Sequence, residues 1–153
     1  MKKLSRAVIL LFAIALAGVA LAQEISFSES TLEIETAEGE RHRFDIELAV
    51  TAQQRSLGLM FRKDLAADAG MLFIYPRPQV ITMWMQNTPL PLDMIFIGQD
   101  NRIAKIVERT IPYSTATISS GQTVKAVLEV NGGAAERLGF EVGDRVINRE
   151  LGS

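Results

Sequence analysis

Thr31-Leu32-Glu33-Ile34-Glu35 and, beyond Ala37-Glu38-Gly39-Glu40, Phe44-Asp45-Ile46-Glu47-Leu48-Ala49-Val50 carry apolar residues at alternate positions. Successive side chains of a strand leave on opposite faces, so Leu32 and Ile34 share one face while Thr31, Glu33 and Glu35 take the other. Two such strands around a short turn with Gly39 read as a hairpin. Further on, Met71–Tyr75, Ile81–Gln86, Asp93–Ile97, Ile103–Val107 and Val124–Val130 are apolar runs of strand length, separated by turn residues such as Gly98-Gln99-Asp100-Asn101. Val142-Gly143-Asp144 turns into a last strand at Arg145–Asn148.

Helix signals are few. Thr51 with Gln54 three places on forms a capping pair, and Gly58 ends that helix after about two turns, packed over one end of the sheet. Gly132 to Leu138, closed by Gly139, reads as a second short helix. All five prolines fall between Pro76 and Pro112 and break any long helix there. Seven or eight strands at this spacing predict a mainly β sandwich or squat barrel with one or two short helices.

The amino terminus has a different character. Lys2, Lys3 and Arg6 precede an apolar run from Ala7 to Val19, followed by Ala20-Leu21-Ala22. That order predicts a signal peptide over residues 1–22, cleaved after Ala22, and an exported protein, periplasmic or secreted. A spanning helix needs roughly 20 apolar residues, so no membrane span is expected after cleavage. Residues 23–153 then form a single β-rich domain, long enough to close a core without disulfides, which the absence of Cys rules out. Losing Lys2, Lys3 and Arg6 leaves 13 basic against 18 acidic residues and moves the formal charge from −2 to −5. No basic stripe remains to follow a phosphate backbone, so nucleic acid is not an expected partner.

Three segments stand in tight order: Gln54-Arg55-Ser56-Leu57-Gly58-Leu59-Met60-Phe61-Arg62, Gly70-Met71-Leu72-Phe73, and Trp84-Met85-Gln86-Asn87-Thr88 with Pro91-Leu92-Asp93 close behind. Together they resemble the bacterial and archaeal family called domain of unknown function 192. Val127-Leu128-Glu129-Val130 and Gly143-Asp144 are similar to its closing segment, so the resemblance covers nearly all of residues 23–153. It implies a jelly-roll-like β-sandwich, often exported, with no established activity.

The residue inventory removes several chemistries. A Ser or Cys nucleophile needs a base, usually His, and nitrogen-rich metal sites need several His. The one His, His42, lies between Arg41 and Arg43 and is expected on the surface. No catalytic residue is assigned and no cofactor is expected. The polar residues of the signature form the candidate ligand site: Arg55, Arg62, Trp84, Asn87, Thr88 and Asp93. Asp93 is expected to pair with Arg55 or Arg62, either as a structural tie or beside a pocket in which Arg62 and Asn87 meet a small anionic or hydroxylated ligand. Ile81, Met83 and Met85 should share one face of their strand and Thr82, Trp84 and Gln86 the other, so Trp84 either borders that pocket or fills core.

Three functions are compatible with this inventory. The first is a non-enzymatic exported domain that binds a small polar ligand or an envelope protein. The second is an enzyme on a cell-envelope sugar or small polar substrate, with Asp93 as base and Arg62 holding developing negative charge; Glu129 could also face Asp93 as a paired acid and base. The third is Cu(I) handling by thioethers, with Met60, Met83 and Met85 as candidate ligands, against the ordinary use of Met as core filler.

Overall fold

The computed structural model describes residues 24–152; the expected signal peptide lies outside the described residues. Strands β1 (Ser28–Glu35), β2 (Arg41–Ala49), β3 (Ala69–Met83), β4 (Leu92–Ile97), β5 (Ile103–Val107), β6 (Ile118–Asn131) and β7 (Arg145–Ile147) form one sheet in the order β5-β4-β6-β3-β2-β1-β7. The sheet curls into a half-barrel. Its outer strands meet at one corner, where Arg102 bridges to Arg145 and the Val146 amide donates to the Asn101 carbonyl at 2.7 Å. Helices α1 (Ala52–Leu57) and α2 (Ala134–Leu138) are short. Among the described residues no helix is long and apolar enough to cross a membrane.

The β1–β2 hairpin forms as the alternation requires, with Leu32 opposite Phe44 and Ile34 opposite His42. That register corrects the expectation for His42. It shares the Phe44 face, is half-buried, and meets Phe140 edge-on with ring centroids 5.4 Å apart. The next connection was not visible in the alternation. β2 and β3 run parallel, and parallel neighbours need a crossover. The segment from Thr51 to Asp68, carrying α1, is that crossover, and Arg55 ties α1 to the Val50 and Ile74 carbonyls, just past the last β2–β3 pair.

Pro76 and Pro78 lie within one strand and do not separate two. The runs Met71–Tyr75 and Ile81–Gln86 belong largely to one strand, β3, which passes through Pro76 and Pro78 and ends at Met83. The β3–β6 register shifts between Ile74 and Gln79, so the ladder asks for no amide from either proline. Past Phe73, β3 loses its β2 neighbour and continues with β6 as a two-stranded arm.

Two cores result. One fills the inside of the curl, with Leu32, Ile34, Phe44, Ile46, Leu72, Ile95, Leu128 and Val146, and takes Ala134 and Ala135 of α2. The other, on the opposite face, joins Met71, Phe73, Met94, Phe96 and Val127 to Ile81 and Met83 of the arm and to Leu59 and Met85. Strands β3, β4 and β6 are therefore apolar on both faces, which is why their sequences run apolar without alternating.

Candidate functional site

Between α1 and the β3–β6 arm, on the face of the second core, lies a cleft of about 360 Å³. One wall is α1, with Ala52, Arg55 and Ser56; the other is the end of the arm, with Thr82, Met83 and Trp84; Phe73, Tyr75 and Glu129 lie beneath. Residues 57–60 and Thr88 complete the lining.

Local structure explains each position. The Thr51–Gln54 capping box starts α1, and Gly58 ends it at φ 48°, its amide donating to the Gln54 carbonyl. Any Cβ at Gly58 would stand 3.0 Å from the Phe73 ring, so glycine lets the helix end close over the cleft floor. Gly70 has a similar use: a Cβ there would come within 2.7 Å of the Glu129 carbonyl. Arg55 donates to the carbonyls of Val50 and Ile74 and sits 4.9 Å above the Tyr75 ring, binding α1 to both parallel strands.

Glu129 is the residue that sequence reasoning placed wrongly. It pairs with Met71 on one side and Met94 on the other, and is only 4% exposed. Burial pushes its carboxyl up to about 8, so at neutral pH it is mostly protonated. Tyr75 beside it is also raised, first by burial, against the lowering effect of Arg55 and with a further rise from Glu129. The Tyr75 hydroxyl lies 3.6 Å from the Met83 sulfur. The floor thus offers a neutral carboxyl and a phenol, while the Arg55 guanidinium brings positive charge to the wall. The available signal was a single acid inside the apolar run Val124–Val130; Tyr75, at the end of another such run, had none.

The expected ligand residues separate into two groups. Arg55, Trp84 and Thr88 converge on the cleft, and Trp84 is 49% exposed on its wall while Ile81, Met83 and Met85 face inward as their spacing requires. Arg62 instead pairs with Glu47 at 2.9 Å in the neighbouring groove, which it shares with Ile25 and Phe27. Asn87, at φ 55°, points its amide at the Met60 sulfur and does not line the cleft.

Asp93 makes neither expected ion pair. It is fully buried on the face opposite Glu129, where it accepts the backbone amides of Arg109, Gly133 and Ala135 at 2.8 to 2.9 Å. Its register with Val130, one residue from Glu129, points the two carboxyls to opposite faces, so they cannot act as a pair. A base sealed by three amides has no substrate to reach. The methionines also divide: Met60 and Met83 line the cleft, but Met85 is buried and its sulfur receives the Thr110 hydroxyl at 3.2 Å. Among the described residues no three His, Cys, Asp or Glu groups gather as metal ligands.

Comparison with known proteins places these features in a wider set. The family profile DUF192, described as an uncharacterized ACR, matches residues 33–147. A proposed transcription regulator from Sinorhizobium meliloti 1021 is 44% identical over 82% of this chain and 97% of its own, with a TM-score of 0.80. A protein of unknown function from Novosphingobium aromaticivorans DSM 12444 is 40% identical, with a TM-score of 0.75 over 78% of this chain and 84% of its own. No curated protein matches the sequence.

Proposed function

The chain belongs to the uncharacterised DUF192 family, and we propose that this member is an exported, non-catalytic domain that binds a small polar ligand in the cleft between α1 and the β3–β6 arm. One observation carries the reading: a carboxyl buried without an opposite charge lies under a cleft that an exposed Trp borders. Burying such a group costs stability unless something compensates it, and a ligand that hydrogen-bonds to it is one such compensation. Thr82 and Arg55 add donors around the same space, and Thr88, whose hydroxyl donates to the Gln86 carbonyl, adds an acceptor. Export is supported by the Lys2–Ala22 segment. The regulator description of the Sinorhizobium meliloti relative is not extended to this chain, whose formal charge is −2 and which has no basic stripe.

A second reading rests on the same carboxyl. A pKa near 8 would suit a general acid, and Glu129 takes the place that Asp93 cannot fill. Native mass spectrometry of protein recovered from the exported fraction separates the two. A retained small mass, lost in Arg55→Ala and seen on a chain that begins at Gln23, supports the binding domain. Conversion of that compound on incubation, abolished by Glu129→Gln, supports the enzyme. A bare mass on a chain that keeps residues 1–22 removes both the ligand and the export.

A further inference from the structure

Three large aromatic side chains are exposed on segments that meet beside the cleft. Trp84 lines it; Phe61 and Tyr113 are 67% and 65% exposed. Three loops are laced together there. The Phe61 amide donates to the Asn87 carbonyl at 2.8 Å, the Tyr113 amide to the Thr88 carbonyl at 3.0 Å, and the Met85 amide to the Ser114 carbonyl at 2.9 Å. Phe61 and Tyr113 therefore flank the Asn87-Thr88 turn, and Phe61 follows Met60, itself part of the lining.

Neither aromatic is left outside by a lack of alternatives. Phe61 at φ 65° and Tyr113 at φ 60° hold the left-handed conformation, which bulky side chains avoid, and Asn87 between them, at φ 55°, is of a type that adopts it readily. Such strain persists only where surrounding bonds enforce it, as the three loop-to-loop hydrogen bonds do here. Strain kept in order to hold aromatic rings in water points to a ligand that covers them.

We propose, resting on the cleft reading above, that Phe61, Trp84 and Tyr113 form a rim for a neutral oligosaccharide, with the apolar C–H faces of its rings against the aromatics and its hydroxyls directed to Arg55, Thr82 and Thr88. A pyranose is amphipathic in the way this site is: flat apolar faces, polar edges. The rings have the polar sequence neighbours Arg62, Asn87 and Ser114, alongside the exposed Ile111 of the Tyr113 loop, so apolar faces and hydrogen-bonding groups alternate along these segments. The Glu129 carboxyl at the floor is a hydrogen-bonding group for a ligand hydroxyl.

The chain carries its own reporter, because Trp84 is its one tryptophan. Chitohexaose, maltohexaose and cellohexaose are titrated into the chain beginning at Gln23, following Trp84 emission and its quenching by acrylamide. The expected result is a saturable blue shift and reduced quenching with at least one of them. Phe61→Ala and Tyr113→Ala should each weaken binding roughly two- to tenfold, and Val142→Ala, at an exposed apolar position away from the cleft, should change nothing. If no oligosaccharide protects Trp84 but a small acid or amine does, the sugar assignment falls and the cleft reading stands. If phosphatidylglycerol vesicles alone shift the emission, the rim belongs to a membrane surface. If nothing protects Trp84 and no mass co-purifies, both readings fall.

Discussion

Glu129 ties stability to pH in a direction opposite to most carboxylates. Below about pH 4.5 its proton is bound whether the chain is folded or not; between there and about 8 only the folded chain keeps it; above that, neither does. Folding therefore loses stability as pH rises through this window, by about 1.4 kcal/mol per unit at most. Urea unfolding at pH 5 and pH 8.5 should find Glu129→Gln close to the parent at the lower pH and more stable by a few kcal/mol at the higher. Equal differences at both would mean that the carboxyl is not desolvated. At this scale the site was half legible. Arg55, Trp84 and Thr88 were recognisable because they belong to a dense polar signature with a lone Trp, whereas Arg62, Asn87 and Asp93 share that signature but serve the scaffold. Sequence spacing cannot separate the two groups, because the curl of the sheet decides which face each one meets. Glu129 was visible as an acid in an apolar run, but only the β4–β6 register reveals which face it occupies.

The elements depend on a few polar bonds that cross between them. Helix α2 begins at Gly133, φ 87°, which has no side chain to cap the helix. Asp93 supplies the cap from β4, accepting the Gly133 and Ala135 amides together with that of Arg109. Asp93→Ala leaves three amides without this acceptor in a buried place, and should cost about 3 kcal/mol or more in chemical unfolding, with Asp93→Asn costing less. If the cleft reading is right, Asp93→Asn will still bind ligand in the fraction that folds, because the residue lies on the other face of the sheet. The hairpin, β5 and α1 were legible in the sequence, each marked by alternation, flanking turns or a capping box. The parallel β2–β3 pair was not, since strand direction depends on where an eighteen-residue crossover returns, and no local pattern encodes that. Nor was the length of β3, whose prolines read as breaks until the register shift beside them is known.

The whole molecule is held by closure of its sheet. β7 is only three residues long, yet it pairs with β1 and touches the β5 corner through Arg102 and Arg145. Val146, nearly fully buried in the inner core, is its anchor. Val146→Ala should cost about 2 kcal/mol and lower the Tm by roughly 6 °C, while Val142→Ala, exposed three residues before β7 begins, should leave it almost unchanged. Similar melting of the two variants would mean that the corner does not hold the sheet together. The pairing has a further consequence during synthesis. β1 must wait for β7: Glu33 finds Ile147 only when the residues between them have left the ribosome. Until then β1 keeps an unpaired edge and the inner core lacks Val146 and Leu151, so the domain stays incompletely folded until β7 has emerged. A domain built in this order remains threadable until β7 is available.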